Sequence, residues 1–333
     1  MANAPPSATW SRMLEGVQKA AAKDAQNRSA PGQPSESDKF RRSKIAAVEQ
    51  MTGRPLILYA SACTSPGKNI PGQMLMLDFS DKIGFKTVTE LIDPPNLDVM
   101  VHSPGGLAEA TESIVQQLRG KYTSIRFIIP SFAKSAATML AMSGDEILMS
   151  KDSELGPIDP QFVTAYGVSP AEAILEQFQK AQTELQHDPG KLPSWMPILS
   201  PLGPSLLVDC AHAIELSKSL VKNWTKTYML AEDPDAETKS DKICAYLSSH
   251  ANFKSHSRPV KMADLLQVGV KVVDLSATPP LALAVDELYC CLDISLCNSP
   301  TYKIFENSKG HALIRQQQQV LLQAPPSIPK KKP

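Results

Sequence analysis

Two strand-to-helix junctions, one directly after the other, constrain this chain more than any other feature. Both lie within residues 96–161. Residues 97–102 and 124–130 are apolar runs of strand length, each closed by turn chemistry. After the first run stand Pro104, Gly105 and Gly106, and the two glycines relieve the steric limit on the backbone. Leu107, Ala110, Ile114, Val115 and Leu118 then recur at helical spacing. After the second run Ser135 opens another short helix, with Ala136, Ala137, Met139 and Leu140 behind it. A serine at a helix N-terminus sits among unpaired N–H groups at the positive end of the helix dipole. A glycine loop beside it can aim further N–H groups at the same point. Together these make an oxyanion hole next to a nucleophile, as acyl transfer requires. Taken singly, the first motif also reads as a tight turn and the second as a helix-packing contact. Their order favours a site.

The succession SPGG, amphipathic helix, strand, Ser-Ala-Ala helix, GDEILM and LGPIDPQ is similar to the Clp protease/crotonase superfamily. Within it the chain most resembles the signal-peptide-peptidase-A-like group called serine dehydrogenase proteinases. The resemblance runs over residues 54–161, weakens, and returns between His256 and Val272, where a late helix, a glycine and an edge strand follow one another. It implies an α/β fold of ββα units stacked in a spiral, with a helical extension after residue 165. It also implies a Ser135 nucleophile, an oxyanion hole from the Gly105/Gly106 loop and the Ala136 amide, and stacking into a homo-oligomer. The activity implied is a serine peptidase that cleaves peptide or protein substrates through an acyl-enzyme, with no cofactor and no metal. Two alternatives use the same fold. One is a crotonase-like acyl-CoA hydrolase or isomerase, against which stands the lack of a clear adenine- or phosphate-binding pattern. The other is a non-catalytic oligomeric scaffold, which the absence of an obvious base favours.

No motif fixes the group that takes the serine proton. The resemblance puts the catalytic histidine of Clp-type proteases at LGPIDPQ, where this chain has Asp159 and no histidine. Asp159 either orients another group or caps the turn at Pro160. Signal-peptide-peptidase relatives use a lysine tens of residues after the serine, and Lys180 and Lys191 fall in that window. A lysine base must lose its proton near neutral pH, which needs burial or a neighbouring cation. Lys191, among Leu192, Pro193, Trp195 and Met196, ranks first on that criterion; Lys180 lies on an amphipathic helix. His102 and His256 are the histidine candidates, and a histidine needs no such shift. Lys134 adjoins Ser135 but leaves the helix start in another direction, so only its charge bears on the site. Cys244, His250 and His256 have loose metal-like spacing with no tetrahedral pattern, and no metal site is expected.

With 34 basic and 34 acidic residues the formal charge is zero, which argues against nucleic-acid binding and attraction to anionic membranes. Six cysteines form no CxxC pair, as expected of a reducing compartment. The N-terminal residues lack a basic segment followed by an apolar run, and no stretch of about 18 apolar residues occurs. The expectation is a cytoplasmic protein with no transmembrane segment.

Three regions are expected: a flexible N-terminal arm over 1–38, the peptidase domain over 39–300, and a disordered tail over 301–333. Helices are expected over 10–22, 40–51, 170–185 and 205–231. Residues 187–204, with five prolines and two glycines, read as a surface excursion.

Overall fold

The computed structural model describes residues 6–26, 33–65, 67–164 and 167–317. Among the described residues eleven strands form in chain order: β1 Leu56–Ser61, β2 Asn96–His102, β3 Ser124–Ile129, β4 Phe132–Ala133, β5 Glu146–Met149, β6 Glu154–Leu155, β7 Gln161–Thr164, β8 Gly167–Pro170, β9 Val272–Asp274, β10 Thr301–Asn307 and β11 Ala312–Gln316. The main sheet has seven strands in the order β11-β10-β1-β2-β3-β5-β9. β1, β2, β3, β5 and β9 run parallel, while β10 and β11 add antiparallel at one edge. The late strand β9 does form the opposite edge.

The central strands are apolar on both faces, as a sheet covered on both sides requires. In register, Ile57, Val99, Phe127 and Ile147 form a row toward one face. Leu58, Met100, Ile128 and Leu148 form the next row, toward the other. The first face is covered by α4 (Lys82–Thr89), α5 (Ala108–Arg119), α6 (Ala136–Met142), α9 (Leu206–Trp224), α10 (Ala236–Ser248) and α12 (Met262–Val268). The second is covered by α2 (Glu36–Thr52) and α13 (Pro279–Cys297). A short helix, α3 (Gly72–Leu75), precedes Leu77. α7 (Ala171–His187) and α8 (Leu192–Leu199) follow the β7–β8 hairpin, and α11 (His250–Phe253) follows α10. The class is α/β, with a mixed sheet and flanking helices.

A second, much smaller set of pairings crosses the ends of the parallel strands. β4 pairs with β6, Leu77 bridges Gly106, Ser103 bridges Ala133, and Leu155 bridges Val260. These bridges carry the candidate site.

Residues 6–26 and 301–317 differ from the expected mobile segments. Residues 6–26 form the helix α1, which packs Met13, Leu14 and Val17 on Cys290 and Ile294 of α13. Arg12 also pairs with Glu287 at 2.6 Å. Residues 27–32 of the expected arm lie outside the described residues; Ser35 beyond them caps α2. The tail expected from residue 301 begins with two sheet strands. Their polar side chains are buried in ion pairs: Glu306 binds Arg41 and Arg42, and Lys303 binds Asp81. Residues 318–333 lie outside the described residues. The proline-rich excursion contains the helix α8, which accommodates Pro193 in its first turn and Pro197 near its end.

Candidate active site

Ser135 stands where β4 hands over to α6. Its φ of 51° and ψ of −123° place a non-glycine residue in a sparsely populated region of backbone space. Such strain costs about 1–3 kcal/mol and persists only where neighbours over-determine it. Here Lys134 N–H donates to Ser103 O at 3.0 Å, Ala137 N–H donates to Lys134 O at 2.8 Å, and Ser103 N–H donates to Phe132 O at 3.3 Å. Ser135 Oγ has no hydrogen-bond partner among the described residues.

The glycine loop packs directly against it. Gly105 has φ +97°, and a Cβ there would lie 2.7 Å from Ser135 Cβ and 2.5 Å from Lys134 O. Gly106 faces the other way: its Cβ would lie 2.0 Å from Leu77 O. Leu77 N–H donates to Gly105 O at 2.7 Å, and Leu107 N–H donates to Leu77 O at 2.9 Å, so the loop is threaded between Leu77 and Ser135. Gly105 N–H is occupied by Ser103 Oγ at 3.2 Å. The amides of Gly106 and Ala136 are left without an acceptor among the described residues.

These contacts set the effect of the smallest substitution. Gly106→Ala is expected to lower kcat by on the order of 10²–10³, the range for loss of one oxyanion donor, because the methyl group must push Leu77 and the loop apart. Measured kcat at the wild-type level in a folded Gly106→Ala protein would detach this loop from the chemistry.

Asp159 is buried at the turn after Gly156-Pro157-Ile158. Its Oδ1 lies 2.7 Å from His256 Nδ1, and its Oδ2 lies 3.3 Å from His250 Nδ1. Gln161 Nε2 donates to Oδ2 at 2.8 Å. The stretch that carries Asp159 also touches the serine element: Gly156 N–H donates to Thr138 Oγ1 at 3.0 Å, and Lys134 Nζ donates to Leu155 O at 3.0 Å. On its other side Leu155 exchanges hydrogen bonds of 3.0 Å with Val260, four residues past His256. The 154–160 stretch therefore lies between the Ser135 turn and the segment bearing His256.

The remaining candidates are spread apart. His102 lies on the other face of the sheet, its ring 5.1 Å from that of Tyr289 on α13 and its Nε2 near Cys63 Sγ and Thr64 Oγ1. Burial lowers its pKa to about 4, so it is a neutral packed imidazole. Lys191 does not sit in the apolar pocket its neighbours suggest. Its side chain is half exposed and lies 3.5 Å from Glu184, while Leu192 and Met196 face solvent and only Trp195 is buried. Lys180 is exposed on α7. Neither lysine has the burial or the neighbouring cation that the role of base requires. Lys134 is pushed below its usual range by burial, opposed by Glu154 at 3.0 Å. Cys244 Sγ donates to Lys218 O, away from both histidines. No group of three or more His, Cys, Asp or Glu among the described residues is arranged to hold a metal ion.

A cavity of about 840 Å³ opens elsewhere, lined by Phe162, Ile174, Phe178, Ile198, Leu202 and Leu206. Its lining is mostly apolar, and its Ser205 donates to Asp209 at 2.8 Å with no histidine beside the pair among the lining residues. The strained serine, the free amides and the Asp159 cluster make the stronger candidate site, because reaction needs convergent polar groups rather than volume. The cavity borders the site through β7, whose first residue is the Gln161 that binds Asp159.

Comparisons with known proteins cover part of the chain. Residues 73–192 match the family of ClpP-like SDH-type serine proteinases, and a ClpP-like serine protease domain is present in this chain. The matched stretch includes Gly105, Gly106, Ser135 and Asp159, and ends before His250 and His256. The uncharacterized protein MJ1495 of Methanocaldococcus jannaschii is 29% identical over 177 residues, covering 53% of this chain and 51% of its own. The uncharacterized protein MJ0137 of the same organism is 25% identical over 176 residues, 53% of each chain. The chain spans about half the length of the curated relatives it matches. No solved structure matches it. No helix among the described residues is long and apolar enough to cross a membrane.

Proposed function

We propose that this chain is a serine peptidase that cleaves peptide bonds through an acyl-enzyme on Ser135. The observation that carries the reading is the unpartnered Ser135 hydroxyl on a strained turn, packed against Gly105, with the Gly106 and Ala136 amides free beside it. Ser135 Oγ attacks the substrate carbonyl, and those two amides hold the oxyanion. His256 takes the proton. With Nδ1 at 2.7 Å from the Asp159 carboxylate, the tautomer that donates from Nδ1 leaves Nε2 as the acceptor. The same imidazole then protonates the leaving amine, and water repeats the sequence to release the acyl group. A serine-reactive fluorophosphonate is expected to label the chain at Ser135. A folded wild-type protein that stays unlabelled would leave the scaffold reading standing instead.

The repeated short bridges beside the main sheet support the spiral of ββα units as the architecture behind this site. Assembly into a closed homo-oligomer belongs to the same reading. It is supported by the exposed apolar side chains of Phe79, Ile83 and Leu91 around α4. Light scattering at micromolar concentration is expected to give a multiple of the 36.1 kDa chain mass; a strictly monomeric mass would count against assembly.

A further inference from the structure

Lys303 is buried to 1% exposure in a strand that lies outside the matched serine-proteinase stretch. A lysine so buried needs partners for all three of its protons. Its Nζ donates to Asp81 Oδ1 at 3.0 Å, to Asp81 Oδ2 at 2.7 Å and to Met76 O at 2.6 Å. Asp81 is itself fully buried, and Asp78 N–H donates to its Oδ2 at 3.1 Å. The ion pair therefore clamps the main chain on both sides of Leu77.

Leu77 is the residue that holds the glycine loop, through its N–H to Gly105 O and its O to Leu107 N–H. A second connection leaves the same carboxylate. Tyr59 hydroxyl lies 3.4 Å from Asp81 Oδ2 and meets the Ser103 side chain, whose Oγ accepts from Gly105 N–H at 3.2 Å. Tyr59 is itself fixed by Phe305, a near neighbour of Lys303 on β10, with ring centroids 4.8 Å apart.

We propose that Lys303, with Asp81, is a positioning residue: the buried pair sets the path of the Gly105–Gly106 loop through Leu77 and through Tyr59–Ser103, and so aims the Gly106 amide at the reacting carbonyl. The catalytic half of this statement rests on the proposed Ser135 chemistry; the positioning half does not. A hydrophobic substitution elsewhere in the core would loosen the fold generally. Loss of this pair acts on one loop, because both connections from Asp81 end at Gly105.

The test is the full chain carrying Lys303→Met and Asp81→Asn together, so that neither member of the pair stays buried and charged without the other; Arg315, 3.9 Å from Asp81, keeps its hydrogen bond to Ser80 O. Two quantities are read: amide hydrogen exchange of the peptide covering 103–107, and kcat and KM for an activated ester or peptide substrate. The double variant is expected to exchange about tenfold faster at 103–107, with α1 and α13 unchanged, as a local opening should. Its kcat is expected to fall by about 10²-fold with KM nearly constant, the signature of a misplaced transition-state donor. Wild-type exchange at 103–107 would overturn the proposal, as would faster exchange spread evenly over the chain or an unchanged kcat. Should the double variant fail to fold, Tyr59→Phe cuts one connection and keeps the ion pair. It is expected to speed exchange at 103–107 and lower kcat by about tenfold, the rate equivalent of one lost hydrogen bond; no change in either would overturn the proposal. If wild type neither hydrolyses nor labels at Ser135, the peptidase reading fails, and the exchange comparison still decides whether Lys303 and Asp81 set the loop.

Discussion

Replacing Ser135 with alanine is expected to lower peptide or ester hydrolysis by on the order of 10⁶ in kcat, as loss of a nucleophile from a concerted set does. Folding should be unaffected. The hydroxyl makes no hydrogen bond among the described residues, and alanine can be held in the same turn by the contacts that hold serine. A further substitution separates chemistry from strain. Ser135→Gly removes the nucleophile too, but it accepts a φ of 51° without penalty. Relief of about 1–3 kcal/mol is set against about 0.4–1 kcal/mol of extra chain entropy in the unfolded state. The glycine variant should therefore melt at or above the wild-type temperature while being inactive. Denaturant unfolding and a single-substrate rate assay on both variants read this pair of outcomes. Hydrolysis by clean Ser135→Ala at the wild-type rate would remove the serine from the mechanism. A glycine variant clearly less stable than the alanine variant would mean the turn is not strained in solution.

That such a turn exists was legible in the sequence because its parts are local. Two strands of continuous apolar residues, a double glycine and a serine before small residues each announce themselves within a few positions. The contact between Gly105 and Ser135 follows from placing two parallel strands side by side, β2 next to β3. The β10–β11 pair was not legible for the opposite reason. Its strand is TYKIFEN, in which Lys303, Glu306 and Asn307 are as deeply buried as Ile304 and Phe305. Periodicity reports burial only where burial is apolar. Here the buried polar positions are compensated by Asp81, Arg41 and Val88 O, all more than 200 residues away in sequence. The helix expected over 10–22 lies within α1, whose apolar stripe was visible; its docking was not legible for a similar reason, because its partner lies far away on α13. The setting of Lys191 was not legible for a different reason. Lys191 ranked first on the apolarity of its sequence neighbours, and of these only Trp195 is buried while Leu192 and Met196 face solvent. Sequence proximity is a poor guide to dielectric environment, whereas a buried carboxylate such as Asp159 demands partners wherever the chain can bring them.

Those partners define the second large expectation. Asp159→Asn is expected to lower kcat by on the order of 10⁴, because an amide can present its NH₂ to His256 and select the wrong tautomer. His256→Ala should cost at least as much, since it removes the acceptor itself. His250 shares the carboxylate at a longer 3.3 Å. Its main-chain N–H donates to Glu172 at 2.7 Å, a contact that His250→Ala keeps, so that variant should lose no more than about tenfold. Lys191→Ala and Lys180→Ala, both on exposed surface, should stay within about twofold of wild type. The pH dependence supplies the sign. A histidine base works only when neutral, so kcat/KM must fall as pH is lowered, with the slope of a single proton. A lysine base would move that fall to far higher pH unless the lysine were buried, which neither candidate is. The residual rate of His256→Ala should lose the single-proton limb altogether. Full activity in His256→Ala, or abolition in His250→Ala with His256→Ala intact, would move the base off His256. In the second case the same carboxylate would serve the other imidazole. Abolition in Lys191→Ala alone would require the α7–α8 hairpin to close over Ser135 during turnover, burying a side chain that now stands half in water.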